Sequence, residues 1–68
     1  MNQIDFTETR KEFLKKGIQY HITDAVDMFN IATKSYQNGD DEVANIYWKL
    51  YEEYIYLINR YRELLQRV

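Results

Sequence analysis

Between residues 41 and 68 the apolar side chains, Ile46 and Tyr56 apart, fall into four columns, each repeating every seven residues. One column is Ala44, Tyr51, Ile58 and Leu65; the next is Tyr47, Tyr54, Tyr61 and Val68. A third is Val43, Leu50, Leu57 and Leu64, and a fourth is Trp48 and Ile55, ending at Arg62. At 100° per residue these columns are neighbours on one helix and span about 160° of its circumference. A single neighbouring helix covers only a seam of such a surface, so this arc asks for two neighbours. Few architectures answer that demand in a chain of 68 residues.

The start of this helix is marked by Asp40, a capping residue, with Asp41 and Glu42 complementing the N-terminal dipole. Before it, Tyr36-Gln37-Asn38-Gly39-Asp40 reads as a turn over 38–40, because Asn-Gly is a strong turn dipeptide and glycine closes helices in the left-handed region. Upstream, Ile18, Ile22, Ala25, Phe29, Ala32 and Tyr36 recur at spacings of three and four, widened by Val26, Met28 and Ile31. This too is a helical stripe, and it continues back through Leu14. The spacing predicts one helix over about 7–37. The alternative is a break at Gly17 that leaves a short extra N-terminal helix, since an interior glycine costs about 1 kcal/mol relative to alanine without forbidding the helix.

The expected fold is therefore a single all-α domain over 1–68, an antiparallel helical hairpin with a second helix over about 41–67. Its wide apolar arc predicts a homodimeric four-helix bundle. Self-association is expected through Val43, Leu50, Tyr54, Leu57, Ile58, Tyr61, Leu64 and Leu65. Domains of this size are marginal alone, and there is no cysteine to supply a disulfide.

Chemistry finds little foothold. The one histidine, His21, has Asp24 one turn later, a pair that could orient an imidazole or hold a metal. No second histidine or cysteine completes such a site. Asp40-Asp41-Glu42 lacks the alternating ligands of a calcium loop, and Glu52-Glu53 diverge by 100° on a helix. No enzyme activity, metal or cofactor is expected. Residues 1–6 lack the basic stretch and apolar core of a secretory leader, and no apolar run is long enough to span a bilayer, so the expected location is cytoplasmic.

Contact with other macromolecules is the remaining reading. Seven tyrosines are many for this length, and tyrosine suits interfaces that are partly wet. The candidate partner-binding residues are Phe29, Tyr36, Tyr47, Trp48, Tyr51, Ile55 and Tyr56, around a groove between 25–36 and 44–55. A second reading comes from charge. Net charge is only −2, yet a hairpin brings Arg10, Lys11, Lys15 and Lys16 to the same pole as Arg60, Arg62 and Arg67. Those seven cations are candidate phosphate contacts for a dimeric nucleic-acid-binding protein.

Residues 25–58 also resemble two helical-hairpin families. Ile31, Ala32, Tyr36, Gly39-Asp40, Ala44 and Trp48 follow, in order, the pattern of a tetratricopeptide repeat, departing from it at Tyr51 where the repeat takes a small residue. Ala25, Phe29 and Ala32, then Ala44, Trp48 and Tyr51, resemble the MIT (microtubule-interacting and trafficking) domain, particularly the N-terminal hairpins of endosome-associated deubiquitinases. The usual third MIT helix has no counterpart after the second. An unrelated hairpin obeying the same packing rules carries the same small-and-aromatic pattern. The resemblance implies a non-enzymatic module, a small adaptor, regulator or inhibitor, that grips a partner helix in a groove.

Overall fold

The structure, a computed structural model, describes residues 6–68, so the reading of residues 1–5 lies outside it. Two helices pack as an antiparallel hairpin, α1 over Thr7–Gln37 and α2 over Asp41–Arg67. There is no strand among the described residues, and no helix is long and apolar enough to cross a membrane. The all-α hairpin is as the periodicity predicts.

α1 runs unbroken through Gly17. The reason lies across the seam, because a Cβ built at Gly17 would stand 2.5 Å from a ring carbon of Tyr61. The missing side chain is the space that the Tyr61 ring occupies. Glycine is placed here for close approach of an aromatic ring, while the backbone keeps ordinary helical geometry.

The turn is closed by hydrogen bonds at both helix ends. Gly39 has φ 81°, the left-handed conformation that glycine enters without penalty. It sets up a double closure in which Gly39 N–H donates to the Tyr36 carbonyl at 3.0 Å and Asp40 N–H to the Ser35 carbonyl at 2.9 Å. Asp40 then turns from terminator to initiator. Its carboxylate accepts from the Val43 N–H at 3.4 Å, and its carbonyl accepts from Ala44 N–H, opening α2. Asp41 and Glu42 follow in the first turn. The other end of the hairpin is less well finished, since Phe6 at the start of α1 supplies no side-chain cap.

The seam is built from small residues. Leu14, Ala25 and Ala32 of α1 and Ala44 and Ile58 of α2 are the buried set among the described residues. Three of the five are alanines, so the helices approach closely but bury little apolar volume. The radius of gyration is 16.6 Å, whereas a compact chain of this length has about 11 Å. The hairpin is a thin rod whose largest hydrophobic side chains lie outside its own seam.

Candidate interaction face

From α1, Ile22, Val26, Phe29 and Tyr36 point to one side of the seam, and α2 adds Trp48, Tyr51 and Ile55. Phe29 is the hub. Its ring centroid lies 6.0 Å from that of Trp48 and 5.6 Å from that of Tyr51, and Trp48 and Tyr51 are 5.1 Å apart. The rings are tilted by 34–54°, within the range that aromatic quadrupoles favour over face-to-face stacking. Although packed on one another, Phe29 stays 43% exposed and Trp48 44% exposed.

Two shallow grooves flank this cluster. One is floored by Ala25 and Ile58 and walled by Ile22, Val26, Phe29, Tyr51 and Ile55, with no charged residue among its lining. The other, nearer the turn, is lined by Ala32, Thr33, Tyr36, Ala44, Asn45 and Trp48. The seam alanines are what make these grooves, since a larger residue there would fill the floor. Of the candidate partner-binding residues, Phe29, Tyr36, Trp48, Tyr51 and Ile55 come together on this face. Tyr47 is half-buried and, 100° round the helix from Trp48, turns to the opposite side. Tyr56 sits apart, in a polar groove with Lys49, Glu52, Glu53 and Leu57.

The opposite side is more fully used within the chain. His21 of α1 lies between two tyrosines of α2, 5.7 Å from the Tyr54 ring and 5.2 Å from the Tyr61 ring. Its Nδ1 is buried without a hydrogen-bond partner. No ion pair joins His21 to Asp24 among the described residues, and no group of three or more acidic, histidine or cysteine side chains is placed to hold a metal ion there. Of the residues expected to self-associate, Ile58 is only 4% exposed, buried between the two helices, and its remaining surface helps floor the groove beside Ile55. Tyr54, Tyr61, Leu57, Leu64, Leu65 and Val43 are half-buried, and Leu50 is exposed.

The seven cations do gather at the open end, though three are engaged locally. Lys11 pairs with Glu8 at 3.5 Å, Lys15 with Glu12 at 3.9 Å, and Arg60 with Glu63 at 3.0 Å. Such exposed i, i+3 pairs contribute little to stability, but they lower the local surplus of positive charge. Arg10, Lys16, Arg62 and Arg67 have no carboxylate within ion-pair distance among the described residues.

Compared with known proteins, the chain matches no family, no curated protein and no solved structure.

Proposed function

We propose that the chain is a non-enzymatic protein–protein interaction module, a small adaptor, regulator or inhibitor, whose working surface is the Phe29–Trp48–Tyr51 face. The observation that carries this is a contiguous aromatic and aliphatic surface, uncharged along its main groove, left in water by the chain's own fold. A surface of this kind marks an interaction site in a soluble protein. Its shape suits an amphipathic helix, whose side chains at i, i+3, i+4 and i+7 would seat in the two grooves beside the aromatic hub. The residues that resemble the MIT pattern support the same reading, because Ala25, Ala32 and Ala44 floor the grooves and Phe29, Trp48 and Tyr51 wall them.

Trp48 is the single tryptophan, so its emission reports occupancy of the face directly. Titration with a designed amphipathic helical peptide is expected to shift that emission to the blue, saturably, in the wild-type chain. The Val26→Glu/Ile55→Glu variant is expected to lose the response and, with the face no longer covered, part of its helical circular dichroism as well. An unchanged Trp48 spectrum in both proteins at high micromolar peptide would overturn the reading.

The second reading, a nucleic-acid clamp, is favoured by one observation: the antiparallel hairpin collects seven of the chain's nine basic residues toward its open end. Reversing charge at Arg60, Arg62 and Arg67 separates the two. Oligonucleotide binding by a clamp would collapse and lose its salt dependence, whereas peptide binding at the aromatic face would hardly change.

A further inference from the structure

We infer that the helical partner of the aromatic face is a second copy of this chain, laid antiparallel so that the turn of each hairpin rests over the open end of the other. This rests on the reading of that face as the interaction surface, and adds the identity and direction of its occupant.

The exposed area of the chain suits a second copy. The chain exposes 5787 Å², while the surface scaling of folded monomers gives about 4600 Å² for 8.4 kDa. Elongation and chain ends contribute to the difference, and so do the exposed side chains of the face, among them Val26, Phe29, Trp48 and Ile55. Two helices, each about 10 Å across and overlapping for about 40 Å, present a footprint of about 800 Å². That is the area each partner contributes to a standard stable interface. A hairpin of identical length and width matches the face along its whole extent, which a single docked helix does not.

Charge sets the direction of the pair. The half of the rod toward the open end carries Arg10, Lys11, Lys15, Lys16, Arg60, Arg62 and Arg67 against Glu8, Glu12 and Glu63. The half toward the turn carries Asp24, Asp27, Asp40, Asp41, Glu42, Glu52 and Glu53 against Lys34 and Lys49. Among the described residues the halves are therefore +4 (seven cations, three anions) and −5 (seven anions, two cations). A parallel pair would set like halves together at both ends. An antiparallel pair sets unlike halves together twice, an attraction that acts over a screening length of about 8 Å at physiological salt.

The same face supplies a third fit. Lys15 lies seven residues before Ile22, and Arg62 seven after Ile55, so both project from the aromatic side toward the open end. Antiparallel pairing brings these cations over the partner copy's aromatic cluster, an arrangement that cation–π attraction favours. In the parallel arrangement they would meet their own counterparts.

The chain has no native cysteine, so a spin label at Asn38→Cys, in the exposed turn, reports turn-to-turn distance cleanly. Pulsed dipolar spectroscopy is expected to give a separation of about 40 Å or more, against about 20 Å or less for a parallel pair. Reversal at Asp41→Lys/Glu42→Lys is expected to weaken dimerisation about tenfold at low salt, with recovery when it is combined with Arg62→Glu/Arg67→Glu. A short label distance, or charge reversal without effect, overturns the antiparallel arrangement. A monomer by sedimentation at every concentration overturns the second copy as occupant; the Trp48 peptide titration then stands or fails separately as the test of the face itself.

Discussion

Ile58→Ala is expected to leave most of the chain unfolded at 25 °C. Among the described residues, Ile58 and Leu14 are the only large side chains in a buried set otherwise made of alanines. Removing a buried isoleucine side chain beyond Cβ costs about 2–5 kcal/mol, from lost transfer energy and the cavity left behind. A single core in a chain this short supplies no more than about 3–5 kcal/mol in all. The two quantities are of the same size, so one substitution consumes the stability of the hairpin. The control is Ile46→Ala on the same helix, where the side chain is exposed and the change is expected to stay within about 0.5 kcal/mol. Urea titration followed by circular dichroism, at one fixed protein concentration, distinguishes them. Equal midpoints for the two variants would mean that the seam around Ile58 is not what holds the helices together.

The second large effect is a reversal of sign. Gly17→Ala in an exposed helix interior would stabilise by about 1 kcal/mol, because glycine is the poorer helix former. Here the added methyl meets the Tyr61 ring at 2.5 Å, and displacing that ring removes it from Gly17 and from its edge contact with His21. Overpacking of this kind costs about 1–3 kcal/mol, so the substitution is expected to destabilise. With Tyr61→Ala already in place the obstacle is gone, and the same Gly17→Ala change is expected to stabilise by about 1 kcal/mol. Denaturant midpoints for the four proteins of this cycle give the answer. A stabilising Gly17→Ala in both backgrounds would show that the ring does not need the glycine.

These two cases mark how far the sequence could be read. Helix type and the hairpin were legible because apolar spacings of three and four, and the Asn38-Gly39-Asp40 turn, are local signals that each helix carries alone. The purpose of Gly17 was not legible, because it depends on Tyr61, which lies 44 positions away in the chain and meets it only across the seam. Ile58 shows the same limit from the other side. The apolar arc of α2 counts how much surface must be covered, but it cannot divide that surface between the chain's own α1 and anything outside. Packing decides that division, and it turns Ile58 inward while leaving Trp48, in an adjacent column, outward. Likewise the aromatic hub joins Phe29 of one helix to Trp48 and Tyr51 of the other, a cluster that neither helix shows by itself.

On the proposed reading, the hairpin has too small a core to stand alone and completes itself by covering its aromatic face. Because a partner that binds only the folded state stabilises it by mass action, fold and association should be linked in concentration. The most direct test is solution mass by light scattering, taken down to low micromolar protein with helicity followed on the same samples. The expected result is a mass of two chains that falls on dilution together with helicity and with a red shift of Trp48 emission. A chain that stays fully helical as a monomer through the same dilution would contradict it.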